Sequence, residues 1–291
     1  MTPPDYAVFF QFAHRPFSLT PDPRFYFRSR SHGRAFDALS EALDRGDALM
    51  LLIGDLGVGK TTLLRTLIDS QARRWRAAFI GNALLSPEDL LRRVLQDLEA
   101  ISRDDVQNGR LAEASRAELV EGFDRLVRQL AAAEERAVVI VDEAHSLPAP
   151  TTDQLVELAS LEANRLVTVQ FLLVGQPAGG GVVLPRVVED RVGVRARLLP
   201  LERDECARYV HHRLHVGGGA VTFTERASEA AYALSGGVPR IINLLGERAL
   251  QDAAAARSRQ VEAAMIESAA SALDVLRLRP KRFRWYGTRA L

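Results

Sequence analysis

Five short strand-like runs recur through the first two hundred residues, Leu49 to Ile53, Trp75 to Ile80, Ala137 to Val141, Val167 to Val174 and Val194 to Leu198, of which the first and third are fully apolar. Between them lie longer stretches in which apolar residues return every three or four positions. Runs without polar alternation fit strands buried on both faces, and their alternation with helical spacing predicts an α/β fold, a parallel five-stranded sheet sandwiched by helices. The spacing predicts helices from Ser31 to about Arg45, with Phe36, Leu39 and Leu43 on one face, and from the glycine-rich turn after the first strand to about Ala72. Ser86-Pro87-Glu88 opens another to about Ile101, serine being a good cap and proline a good first-turn residue. Ser115 to Glu135 turns Leu119, Phe123, Leu126 and Leu130 inward; Thr151 to Ala163 and a short segment reaching Asp190 complete the set. The polar stretch before Ser115 carries the turn signal Asn108-Gly109.

The pattern changes after Pro200, where strand-like runs cease. Arg203 to His215, Glu225 to Leu234, Pro239 to Ala256 and Val261 to Leu278 all read as helices, so a small all-helical domain is expected. Residues 1–30 combine three prolines after Phe12 with seven aromatic residues from Phe9 to Phe27, which suggests an irregular arm packed by its rings. The expected organisation is therefore an arm at 1–30, an α/β core at 31–200, a helical domain at 201–276 and a basic, aromatic tail at 277–291.

Chemistry enters where the first strand ends. Gly54-Asp55-Leu56-Gly57-Val58-Gly59-Lys60-Thr61-Thr62 completes a phosphate-loop pattern in a strand, turn, helix setting. Such a loop lets backbone N–H groups converge on phosphate oxygens beside the positive end of a helix. Lys60 would reach the β- and γ-phosphates and the Thr61 hydroxyl would hold magnesium, which makes ATP and Mg2+ the expected ligands. Lys60 and Lys281 are the only lysines among 38 basic residues, so a compact ammonium was required here.

The third run delivers Asp142-Glu143-Ala144-His145. Asp142 would support the metal directly or through its water, and Glu143 would orient and deprotonate an attacking water. The letters of this segment invite a helicase comparison, but no other helicase motif accompanies them. His145 reads equally as a structural residue and as a sensor. Gln176, at the exit of the fourth run, could sense a γ-phosphate or cap a turn. Gly236-Gly237-Val238-Pro239-Arg240 sets a cation in the first turn of a helix, an awkward position that an anion would relieve. His211, His212 and His215 lack a cysteine or acidic set that would complete a metal site.

The totals narrow this only slightly. A net charge of +1 conceals basic ends: five arginines against two acids in the first 36 residues, and six basic residues with no acid from Arg277 to Leu291. A single cysteine, Cys206, excludes an intrachain disulfide and fits a reducing compartment. No run of 18 apolar residues occurs and no signal-peptide pattern opens the chain, so a cytoplasmic protein is expected, with docking at the inner membrane left open.

With Pro16-Phe17-Ser18-Leu19-Thr20-Pro21-Asp22-Pro23, the phosphate loop, VVIVDEAHSL, LLVGQP and SGGVPRIIN all in place, the chain resembles the AAA+ ATPases. More narrowly it resembles the ExeA/GspA family of general secretion ATPases, with pilus-biogenesis and transposition-helper ATPases nearby. The resemblance implies a homo-oligomeric ring, with a hexamer as the candidate size, and a helical lid. It further implies an arm bordering the nucleotide base, Gln176 as first sensor, Arg240 as second sensor, and Arg191 as an arginine acting in trans. Arg186 and Arg195 are alternatives for that last role, because the family's LRQR reads Val188-Glu189-Asp190-Arg191 here. The function so implied is ATP hydrolysis driving assembly or remodelling of a secretion, pilus or exopolysaccharide complex with an envelope protein as partner. The alternative is a DNA-associated ATPase of the transposition-helper type; DNA is the less favoured partner, since only Arg73, Arg74 and Arg76 cluster, and weakly. Full-length secretion members continue into a membrane span and a periplasmic domain, whereas this sequence stops at Leu291. Its tail could meet phospholipid head groups or nucleic acid.

Overall fold

In the computed structural model, residues 5–71, 75–81, 84–100, 114–163, 168–177 and 190–275 are described. Arg73, Arg74, Asn108-Gly109, Arg186, Val188-Glu189 and the 277–291 tail lie outside these ranges.

Five strands form one sheet: β1 (Leu49–Gly54), β2 (Trp75–Ile80), β3 (Arg136–Val141), β4 (Val169–Gly175) and β5 (Val194–Leu198). All neighbours pair parallel, in the order β2-β3-β4-β1-β5. The apolar runs form the interior strands because both faces are covered: every residue of β4 is buried, and all of β3 except Arg136. Register sets Ile53 opposite Gly175 and Val141 opposite Leu173, so the carboxyl ends of β1, β3 and β4 open at one edge. In open α/β sheets that edge is where ligands bind.

The helices of this unit are α1 (Arg30–Arg45), α2 (Lys60–Gln71), α3 (Pro87–Asp97), α4 (Arg116–Ala132) and α5 (Ala149–Ala163). Their ends follow side-chain chemistry. Ser86 accepts the Asp89 N–H, and Ser115 with Glu118 forms a reciprocal capping box. The first helix starts one residue before its expected Ser31: Ser29, in an extended conformation, accepts the His32 N–H, while the Ser31 hydroxyl donates to the Leu199 carbonyl at 3.3 Å. The third helix stops four residues short of Ile101, because Glu99 turns left-handed and the Ala100 N–H returns to the Leu95 carbonyl at 2.9 Å. Leu90, Leu91, Val94 and Leu95 of α3 and Leu119, Phe123 and Leu126 of α4 close one apolar core with β3 and β4.

A second compact unit contains residues 5–27, 55–59 and 200–275; residues 28–54 and the described part of 60–199 form the sheet unit just described. It holds α6 (Arg203–Gly217), α7 (Glu225–Ser235), α8 (Pro239–Ala255) and α9 (Ala263–Ala272). It is not purely helical: β6 (Thr222–Phe223) and β7 (Gln260–Val261) pair parallel, two residues each, too short for a hydrophobic period to register. The arm belongs to this core. Phe10 and Phe17 are fully buried among α6 and α8 residues, and the Arg213 guanidinium donates to the carbonyls of Pro16 and Ser18 while stacking on Phe25 at 4.3 Å. Gly237 passes so close to Leu201 that a Cβ would lie 2.0 Å from its carbonyl oxygen, at a φ of +79° that suits only glycine.

Candidate nucleotide site

The phosphate loop leaves β1 at Gly54 and becomes helical at Lys60. Gly57 (φ +79°) and Gly59 (φ +105°) supply the backbone conformations that side-chain-bearing residues avoid, and Val58 between them is fully buried. Asp55 and Leu56 form the outer part of the turn, with Leu56 exposed. Lys60 is 93% shielded from solvent, and its Nζ donates to the Gly54 carbonyl at 2.8 Å, so the ammonium folds back over its own loop. Thr61 and Thr62 follow in the first turn of α2, where the free N–H groups of a helix start lie.

Within the sheet unit, the residues expected to work together do meet. Thr61 Oγ1 lies 3.5 Å from Asp142 Oδ2 across the edge of the sheet. Asp142 extends the β2–β3 ladder by donating its N–H to Ile80, while its Oδ1 accepts the Glu143 N–H at 2.9 Å. A hydroxyl and a carboxylate converging at this distance form the hard oxygen pair that magnesium favours, so these two residues fit the expected ion.

Glu143 holds a left-handed backbone (φ +53°), and the Ser146 N–H returns to its carbonyl at 2.8 Å. Its Oε2 accepts the Gln176 amide at 3.0 Å, and His145 Nε2 stands 3.4 Å from the same oxygen. Gln176 thus meets the acid from the end of β4.

In the second unit, the Arg240 N–H donates to the Gly57 carbonyl at 3.1 Å, and a Cβ on Gly57 would fall 2.7 Å from Arg240 Cβ. The first turn of α8 therefore rests on the loop segment 55–59. The Arg240 side chain is exposed, and no acid pairs with it among the described residues. Arg191 is likewise exposed and without an ion pair among them, in the turn before β5; Arg195 is exposed on β5.

Two contributors gave little signal in sequence. The contact from His145 to Glu143 depends on the left-handed turn, which no period marks. Gln170, a lone amide inside an apolar strand, is fully buried and donates to the Asp47 carbonyl at 2.8 Å, fixing the turn that feeds β1. Cys206 is fully buried, and burial pushes its thiol up to about 12, which removes it as a nucleophile.

Residues 43–179 match the family described as AAA domain. General secretion pathway protein A of Aeromonas hydrophila is 35% identical over 260 residues, which is 88% of this chain and 46% of the relative; the chain spans about half that protein's length. Among solved structures, Cdc6p of Pyrobaculum aerophilum superposes with a TM-score of 0.69 at 16% identity, covering 88% of this chain and 70% of its own. The ORC2 protein of Aeropyrum pernix gives 0.68 at 18%, covering 90% and 72%. The RuvB branch migration motor of Thermotoga maritima gives 0.57 at 20%, covering 89% and 72%. At these identities the structures speak for the fold.

Proposed function

This chain belongs to the AAA+ ATPases, in the ExeA/GspA family, and we propose that it hydrolyses ATP in a homo-oligomeric ring to drive assembly or remodelling of a cell-envelope secretion, pilus or exopolysaccharide complex. The observation that carries the reading is the meeting of Thr61 with Asp142 and of Gln176 with Glu143 at the carboxyl edge of the sheet.

The loop N–H groups of residues 57–61 and the Lys60 ammonium would hold the phosphates, the lysine exchanging its Gly54 carbonyl for a phosphate oxygen. Mg2+ held by Thr61 and Asp142 would neutralise charge on the β- and γ-oxygens. Glu143 takes a proton from water; the water oxygen bonds to the γ-phosphorus, the bond to the β–γ bridging oxygen breaks, and ADP and phosphate leave. Gln176 orients Glu143 and senses the γ-phosphate. Arg240, seated on Gly57, would couple the phosphate loop to the helical unit, and Arg191, unpaired on an exposed turn, is free to serve a neighbouring subunit. The identity with a general secretion pathway protein supports an envelope partner for a cytoplasmic ring. Among the described residues no helix is long and apolar enough to cross a membrane.

The test is ATP turnover by the purified protein against its own concentration, with and without duplex DNA at two salt concentrations. Specific activity that rises with protein concentration and ignores DNA supports the ring and the envelope role. Stimulation by DNA that weakens steeply with salt would instead favour the transposition-helper alternative.

A further inference from the structure

Glu143 is more firmly held than a surface carboxylate needs to be. Its backbone N–H is taken by Asp142 Oδ1, its carbonyl by the Ser146 N–H, and its Oε2 faces both Gln176 Nε2 at 3.0 Å and His145 Nε2 at 3.4 Å. Oε1 accepts no hydrogen bond from the described residues. Other described residues, Glu99 among them, turn left-handed just past helix ends, so what distinguishes Glu143 is the set of hydrogen bonds that fixes its side chain.

His145 has a fixed seat from which to act. It lies in the 3-10 turn Ala144–Ser146, whose Ala144 is buried, and its backbone N and Nδ1 both approach the Gly175 Cα side at van der Waals distance from a would-be Cβ, 3.9 Å. Nδ1 is enclosed without a hydrogen-bond partner. A nitrogen enclosed in that way favours the tautomer that carries no proton there, which leaves Nε2–H directed at Glu143.

We propose that His145 is a positioning residue for Glu143: together with Gln176 it clamps Oε2, so that Oε1 is presented to the attacking water. The inference rests on Glu143 being the general base. The 3.4 Å separation is of the kind that tightens once substrate is bound.

Three variants separate donor from bulk. His145→Ala removes both, His145→Phe keeps the ring volume without a donor, and His145→Gln keeps an amide donor. We expect kcat to fall about tenfold in the Ala and Phe variants, with KM for ATP within about twofold, and to stay within about threefold in the Gln variant. Wild-type kcat in either the Ala or the Phe variant, or an equal loss in all three, overturns the proposal. A second readout needs no turnover: in 15N-histidine spectra of the free protein, His145 should show the Nε2–H tautomer, and its Nε2–H resonance should move in Glu143→Ala while the tautomer is kept; an Nδ1–H tautomer, or an Nε2–H resonance unmoved by Glu143→Ala, overturns it. Glu143→Gln separates the two ideas. If it keeps hydrolysing, the base assignment fails; if it is inactive while the His145 variants match wild type, only the clamp fails.

Discussion

Glu143 and Gly237 both sit in left-handed backbone, one in the sheet unit and one in the helical unit, and they are held there by opposite means. At Gly237 the chain omits the side chain so that Leu201 can approach, donating its N–H to the Gly237 carbonyl at 2.8 Å while the Gly237 N–H goes to the Ser235 hydroxyl at 3.0 Å. At Glu143 the chain keeps a side chain at a conformational cost and surrounds it with hydrogen bonds. The first is an economical way to pack; the second makes sense where a carboxylate must occupy one position. Left-handed geometry alone therefore does not mark a site, since Gln11, Glu99, Glu134, Arg257 and Asp274 adopt it just past helix ends; what sets Glu143 apart is the side-chain hydrogen bonding that accompanies it.

The sharpest way to break the comparison is to give Gly237 a side chain. Gly237→Ala drives a Cβ into the Leu201 carbonyl and should cost about 3 kcal/mol or more, read as a lower denaturant midpoint. Arg213→Leu comes next: it leaves the Pro16 and Ser18 carbonyls without their donor in a buried place and should cost about 2 kcal/mol. Glu143→Gly is predicted to act in the other direction, abolishing turnover while raising stability by about 0.5 kcal/mol, because the strain disappears with the side chain. A Glu143→Gly protein that is clearly less stable than wild type would mean that the polar contacts outweigh the strain. The smallest effect concerns pH. Burial, then the neighbouring Arg213, push His212 below its ordinary value of 6.5, so the fold prefers the neutral ring. That preference contributes fully above about pH 6.5 and is lost as pH falls through that value toward the lower folded one, and His212→Gln should flatten this part of the stability profile.

Much of the sheet unit could be read directly because its signals are local. The phosphate loop, the caps at Ser86 and Ser115 and the span of β2 each depend on neighbours within a few residues. Strand order could not be read that way, since β4 inserts between β1 and β3 by contacts more than a hundred residues apart for β1. Nor did spacing reveal that the arm's rings complete the helical core: Phe10 and Phe17 follow no helical or strand period, and their partners arrive two hundred residues later. At the site, residue types suggested chemistry for Thr61, Asp142, Glu143 and Gln176, and the fold brings them into two contacting pairs. His145 looked ambiguous because its contact depends on one backbone angle.

The chain passes between its two compact units at residues 27/28, 54/55, 59/60 and 199/200, so neither is a continuous stretch of polypeptide. Cleavage near Pro200 would not liberate two intact halves. An N-terminal fragment would keep the arm but lose the α6 and α8 surfaces that bury Phe10 and Phe17, leaving sticky aromatic rings on an otherwise finished sheet. A C-terminal fragment would lack both those rings and the loop segment that carries Gly57. Gene fusions, split reporters and limited proteolysis should therefore be judged by the arm and the helices together, since each supplies what the other's interior is missing.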